Sequence, residues 1–350
     1  MTTDALSRAL ERYWHPVCTL EELATRAPQP LAVRLLGRDL AIADLGPGDA
    51  VEPFASVDRC PHRSTRLSVG FVDRGGDAVC AGPSLRCAYH GWRYGPDGGC
   101  VEIPAMPDGP IPSRAALTTF AAEVAYGLVW VCLDAEPAAP IPPHPAWADP
   151  ELHVVSGAPY TWPVSAPRRV ENFVDLAHFA WVHDGTLGRR DAPVPPIPEI
   201  RREDGELRFA FDPPDMATAA EALFGHSSYR MPMPLTVDIE FFLATGARRR
   251  LWMTASPLDA RTCRTFWAVS RDDDLDGDDA QHLAFQQVVL DEDQPVVANQ
   301  DPPEIVLDPA LEVSIRTDRV SIEYRRWLRE LSTPAECRHE APQEQEARRM

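Results

Sequence analysis

Two cysteines and two histidines stand in matching halves, Cys60-Pro61-His62 and Cys87-Ala88-Tyr89-His90. Each half supplies one thiolate and one imidazole, so each loop can reach both irons of a [2Fe–2S] cluster, with the two sulfurs on one iron and the two nitrogens on the other. A structural zinc site usually separates its ligand types, with paired cysteines in one half and paired histidines in the other. The mixed order here therefore favours the two-iron cluster. Cys80 lies between the halves but has no histidine three residues on, which leaves Cys87 as the second sulfur.

A second group of ligand types lies in Glu171-Asn172-Phe173-Val174-Asp175-Leu176-Ala177-His178-Phe179-Ala180-Trp181-Val182-His183. On a helix, Asn172, Asp175 and His178 share a face, while His183 needs a bend or the helix end. Two histidines and one distant carboxylate make the facial triad of a mononuclear Fe(II) site, which leaves coordination positions open for O₂.

The flanks Arg59-Cys60-Pro61-His62-Arg63 and Cys87-Ala88-Tyr89-His90-Gly91-Trp92 resemble those of Rieske proteins. In respiratory Rieske proteins a disulfide clamps the two loops; Thr65 and Tyr89 occupy those positions here, as in the lower-potential clusters of ring-hydroxylating oxygenases and Rieske ferredoxins. With the downstream Asp175-x-x-His178-x-x-x-x-His183 pattern, the chain resembles the terminal oxygenase (alpha) subunit of Rieske non-haem iron ring-hydroxylating oxygenases. The resemblance covers roughly residues 10–330. It selects Asp293 as the third iron ligand, because Glu292-Asp293 with Gln300 seven residues on matches the family pattern; Asp291 and Glu292 are its rivals. It also implies a homotrimer in which His90 of one subunit hydrogen-bonds Asp175 of the next, and Asp175 in turn holds His178.

These sites need two kinds of scaffold. Short apolar runs at residues 31–36, 39–44, 54–58 and 128–133, separated by Gly, Pro and Asp, suit an all-β domain with the cluster halves on its loops. The 24 residues between His62 and Cys87 contain two turn signals and predict a lengthened hairpin. Residues 4–12 predict a short helix, and the proline-dense segment 140–145 predicts a stiff connector. Beyond it, a proline loop at 192–200, strands at 236–244, 249–256 and 265–270, a solvated acidic loop at 272–279 and a helix at 280–300 interrupted by Pro295 are expected. The expected fold class is α+β: a Rieske domain with an N-terminal helix over 1–140, a helix-grip catalytic domain over 141–332, and a polar tail over 333–350.

A net charge of −19 argues against nucleic acid or an anionic membrane as partner. Residues 1–15 lack a signal-peptide core, and no apolar run approaches a membrane span, so a cytoplasmic protein with reduced cysteines is expected. The chain contains no dinucleotide-binding G-x-G-x-x-G and no plant-type ferredoxin motif. Electrons from NAD(P)H would therefore arrive through a separate reductase or ferredoxin. The resemblance, with the Ile103-Pro104-Ala105 segment, implies a monooxygenase that hydroxylates or oxidatively demethylates a small aromatic or apolar molecule. A cis-dihydroxylating dioxygenase is the alternative in the class, and a Rieske electron carrier is the alternative outside it. Pocket candidates are Phe224, Tyr229, Met231, Trp252, Trp267 and Phe285.

Overall fold

The computed structural model describes residues 3–75, 82–212, 224–232 and 234–333; Cys80, Cys337 and the polar tail from residue 334 lie outside them, as does the side chain of Phe224. The N-terminal half runs α1 (Thr3–Leu10), β1 (His15–Thr19), α2 (Leu20–Arg26), β2 (Leu31–Leu35), β3 (Arg38–Asp44), β4 (Pro53–Val57), β5 (Phe71–Asp73), β6 (Ser84–Arg86), β7 (Arg93–Tyr94), β8 (Cys100–Glu102), β9 (Thr119–Ala125) and β10 (Leu128–Cys132). The C-terminal half runs α3 (Pro145–Ala148), β11 (His153–Ser156), β12 (Tyr160–Trp162), α4 (Ala166–Val174), α5 (Phe179–Val182), β13 (Ile200–Glu203), β14 (Glu206–Phe211), β15 (Phe224–Pro232), β16 (Thr236–Leu243), β17 (Arg248–Pro257), β18 (Cys263–Arg271), α6 (Asp279–Val297) and α7 (Arg319–Leu331).

Among the described residues there are three antiparallel sheets. One has the order β1-β10-β9-β4-β3-β2; a small one, β5-β6-β7-β8, carries the cluster loops; a third, β11-β18-β17-β16-β15-β14-β13, is joined by β12 beside β18. The expected strands at 31–36, 39–44, 54–58 and 128–133 are β2, β3, β4 and β10, and those at 236–244, 249–256 and 265–270 are β16, β17 and β18. The hairpin between the cluster halves is β5 paired with β6.

Strand β10 is buried at every position, and β17 is buried from Leu251 to Pro257, because each is covered on both faces. Trp130 and Trp252 belong to one apolar cluster with Trp14, Leu128, Cys132 and Phe266, which fills the space between the two halves. The other face of the large sheet packs on α4, α6 and α7, where Val170, Val174, Leu290, Val297 and Tyr324 enter one core. This long-range packing sets α4 and α6 side by side.

Three details differ from expectation. Helix α1 buries Leu6 and Leu10 in the C-terminal core with Leu328, so its apolar stripe serves the second half of the chain rather than the first. Pro295 lies inside α6, exposed, and the helix ends two residues later at Val297 rather than at the proline itself. The acidic segment 272–279 is ion-paired at its ends, with exposed Asp274, Asp276 and Asp278 between: Asp272 pairs with Arg248, Asp273 with Arg249, and Asp279 with Arg271 and His153.

Candidate active site

The first cluster loop leaves β4, and the second joins β6 to β7. Each is closed by backbone bonds around its cysteine: the Ser64 N–H donates to the Cys60 carbonyl at 2.9 Å, and the Gly91 N–H to the Cys87 carbonyl at 3.0 Å. Gly91 adopts φ of +72°, and a Cβ there would meet Pro104 at 3.1 Å, so the turn after His90 requires glycine. Both cysteines are buried, whereas His90 is exposed. The His62 and His90 rings lie 4.5 Å apart at 66°, and His62 stacks on Trp92 at 4.4 Å. Burial pushes the Cys87 thiol up, while the Tyr89 and His90 N–H groups donate toward its sulfur and favour the thiolate. The buried Tyr94 hydroxyl sits 3.1 Å from the Cys60 sulfur. His62 Nδ1 is buried with no hydrogen-bond partner among the described residues, as suits a nitrogen reserved for metal. The donor set therefore fits a Rieske cluster.

The second site differs from expectation in its local fold. A single helix does not span Glu171 to His183. Helix α4 ends at Val174, since the Asp175 carboxylate accepts the Ala177 N–H at 2.8 Å and offers the backbone a turn in place of another helical bond. The chain then re-enters helix at α5, which His178 and His183 bracket as caps. Behind it, Gly188 packs so closely that a Cβ would lie 2.4 Å from the Phe179 carbonyl oxygen. This break turns both imidazoles toward α6.

On α6 the buried residues are Gln286, Val289, Leu290, Asp293 and Val297, a single face at helical spacing. Asp293 is on that face and Asp291 is not; Asp291 instead accepts from Gln287 on the exposed side. Asp293 Oδ1 lies 3.4 Å from His178 Nε2 and 3.2 Å from His183 Nε2, and the three ligand atoms all fall within 4.8 Å of one another. Burial works against an ionised Asp293, but hydrogen bonds with His178 and His183 and the nearby Arg169 guanidinium outweigh it and hold the carboxyl well below the usual range. Burial likewise opposes charge on His183, yet Asp293 and Glu292 together raise its pKa.

Glu292 has a role that sequence reasoning missed. Its carboxylate accepts the His183 Nδ1–H at 2.7 Å and the Thr186 hydroxyl at 2.7 Å, which turns the Nε2 edge of the ring toward Asp293. The rival carboxylate thus holds a candidate ligand, an arrangement its place beside Asp293 could have suggested. Asn172 donates from Nδ2 to Asp293 Oδ1 at 3.1 Å and lies 3.5 Å from His178 Nε2. Asp175 Oδ2 is 3.8 Å from His178 Nδ1, beyond hydrogen-bond reach, and that buried nitrogen has no partner among the described residues.

A cavity opens on this group. Its wall includes Phe173, Leu176, Phe179, Tyr229, Phe241, Leu251, Phe285 and Val289, with Gln286 and Ser227 as polar points. The proline loop contributes Ala192 to Pro196 to the wall while Pro193, Val194 and Ile197 stay exposed, so this surface loop also borders the pocket. Of the expected pocket residues, Tyr229 and Phe285 line the cavity. Met231 and Trp267 pack in the C-terminal core, and Trp252 packs between the halves, since each has a large apolar surface that the sheet faces enclose.

Residues 13–121 match the Rieske [2Fe-2S] domain family, and residues 162–333 match the vanillate O-demethylase oxygenase C-terminal domain family. The chain is 41% identical to methylxanthine N1-demethylase NdmA of Pseudomonas putida, over 92% of this chain and 89% of that protein. It is 41% identical to methylxanthine N3-demethylase NdmB of the same organism, over 93% and 90%. The structure of Pseudomonas putida CBB5 NdmA with caffeine superposes with a TM-score of 0.85 at 40% identity, covering 94% of this chain and 92% of that one. Oxidoreductase NdmD of Pseudomonas putida matches a shorter stretch, 37% identical over 131 residues. The cofactors that follow are a [2Fe–2S] cluster and a mononuclear iron: the chain belongs to the Rieske non-haem iron oxygenases.

Proposed function

We propose that this chain is the terminal oxygenase of a multicomponent system that removes an N-methyl group from a flat heteroaromatic substrate of the methylxanthine kind. The cavity carries this reading: phenylalanines on several walls accept a planar ring, and the buried amide of Gln286 stands two helical turns before Asp293, placed to bond a ring carbonyl. The similarity to N1- and N3-demethylases across nearly the whole chain supports it.

Cys60, His62, Cys87 and His90 would hold the cluster, and His178, His183 and Asp293 the mononuclear iron. When bound, the two centres supply single electrons and activate O₂. The aromatic walls exclude water and set the methyl group toward the iron ligands. Glu292 fixes the tautomer of His183, and Asn172 fixes the Asp293 carboxylate. One oxygen atom enters the N–CH₃ group and the other leaves as water, with two electrons and two protons consumed; the hydroxymethyl product then releases formaldehyde and the N–H heterocycle. The electrons come from NAD(P)H through a partner reductase, and the match to NdmD supports such a partner. No helix among the described residues is long and apolar enough to cross a membrane, in keeping with a cytoplasmic enzyme. We place the chain in a homotrimer in which His90 meets Asp175 of the next subunit. The exposure of His90, Tyr89 and the Asp175 carboxylate leaves these groups open to a neighbouring chain.

The test supplies the purified protein with NADH, NdmD and either caffeine, theobromine or a methoxyarene acid, and measures formaldehyde formed per O₂ consumed. Equimolar formaldehyde from a methylxanthine is the expected result. A diol without formaldehyde would favour dihydroxylation, and turnover of the methoxyarene alone would replace N- by O-demethylation.

A further inference from the structure

Arg169 lies on α4 one turn before Asn172 and is wholly buried. Its guanidinium sits over three rings, with its central carbon 4.0 Å from the centre of Phe173, 4.3 Å from Trp162 and 5.6 Å from Tyr160. Nε donates to the Tyr160 hydroxyl at 2.8 Å, Nη1 donates to the Asn172 side-chain oxygen, and Nη1 is 3.7 Å from Asp293 Oδ2. An apolar side chain would fill this box without the cost of burying a charge, since buried ion pairs are often no more stabilising than well-packed apolar residues. The charge must therefore serve its partners.

We propose that Arg169 is a positioning residue for the iron ligands: it holds the Asn172 amide by a hydrogen bond and attracts Asp293 Oδ2 by charge across 3.7 Å, so that a single carboxylate oxygen, Oδ1, faces both histidines. A guanidinium only donates, so it commits the amide oxygen of Asn172 to itself. The Nδ2 group is thereby turned to Asp293 Oδ1 and His178 Nε2. The same cation draws Oδ2 away from the open side of the site, where a second bound oxygen would compete with O₂. The inference rests on the assignment of His178, His183 and Asp293 to iron.

The variant Arg169→Met keeps bulk in the ring box and deletes the charge and the fork. Wild type and variant, with the cluster oxidised, are loaded with Fe(II) and treated with nitric oxide, and the paramagnetic resonance of the nitrosyl adduct reads the ligand geometry. Arg169→Met should change that spectrum and weaken Fe(II) binding on the order of 10-fold to 100-fold, as loss of a ligand-orienting partner does elsewhere, while cluster absorption stays the same. Adding Asn172→Ala should cost less in the variant than in wild type, because both act on one carboxylate. A nitrosyl spectrum and Fe(II) affinity equal to wild type would overturn the proposal, even if the melting temperature falls. Should Arg169→Met not fold, Tyr160→Phe removes one anchor of the guanidinium and should shift the spectrum in the same sense; no shift would equally overturn it. His178→Ala separates the two claims. If that variant keeps the wild-type nitrosyl signal, the ligand assignment fails; if it loses the signal while Arg169→Met leaves it unchanged, only the role of Arg169 fails.

Discussion

The cluster loops and the mononuclear group are built in opposite ways. In the first, four candidate ligands lie in two short loops whose shape is set by bonds within each loop, and the outermost imidazole, His90, is exposed. In the second, His178 and His183 bracket one turn of helix while Asp293 comes from an element more than a hundred residues later, and only sheet packing joins them. The first site is local and faces outward; the second is assembled by tertiary structure and faces a cavity. Such a division suits a protein that must receive electrons at its surface and use them in a dry pocket.

The strongest way to break this comparison is to remove each centre separately. Cys87→Ser and His178→Ala should each abolish demethylation, the first with loss of the cluster's colour and the second with that colour intact. Mixed trimers of the two variants should regain part of the activity, because an intact cluster would face an intact iron across a subunit boundary. Adding Asp175→Asn to the Cys87→Ser chain should suppress the rescue. Mass-verified mixed trimers without any rescue would confine electron transfer to one chain.

A smaller effect is expected at the orienting residues. Glu292→Ala should lower mononuclear iron affinity on the order of 10-fold to 100-fold and leave the cluster's spectrum unchanged. Equal iron content in wild type and variant after prolonged dialysis against a chelator would contradict the role of Glu292.

The two sites also differ in how far they could be read from the sequence. The cluster motif was legible because its ligands and glycine are contiguous. Asp293 was legible only through the family pattern; that it shares the buried face of α6 with Gln286, Val289, Leu290 and Val297 is seen in the structure. The break after α4 was only half legible: the need for a bend before His183 was clear, but the self-capping of Asp175 that supplies it depends on a side chain choosing its own backbone. The roles of Glu292 and Arg169 stayed hidden because each depends on a contact made across more than a hundred residues, Glu292 with His183 and Arg169 with Asp293. That the proline loop also borders the pocket was not legible, because nothing in its composition shows that it lies against the cavity.

Stability should respond to acid through histidines that neither site uses. His15 donates to the Leu10 carbonyl at 2.9 Å, and His144 stacks on Trp252 at 4.6 Å. Burial lowers His15 to about 4 from the ordinary 6.5, and burial together with the Arg250 charge lowers His144 to about 4. The unfolded chain takes up these protons first, so the stability they provide is complete above pH 6.5 and is lost as pH falls from there to about 4, at most about 3 kcal/mol for each ring. Thermal melts across that range should therefore fall steeply, and His144→Phe should fall less. Parallel curves for the two proteins would remove His144 from this account.

The smallest change is expected at the cluster itself. Tyr94→Phe deletes a hydroxyl 3.1 Å from the Cys60 sulfur and should lower the cluster's reduction potential, since a hydrogen bond to sulfur stabilises the more negative reduced form. Protein-film voltammetry that finds an equal or higher potential would contradict that contact.

The central claim, that one chain carries both a local cluster and a tertiary iron site, is tested most directly by counting metal. Protein purified without oxygen should contain three irons and two acid-labile sulfides per chain, and Asp293→Ala should contain two irons and two sulfides with an unchanged cluster spectrum. Two irons and two sulfides in both proteins, under iron-replete conditions, would make the chain an electron carrier and contradict the account.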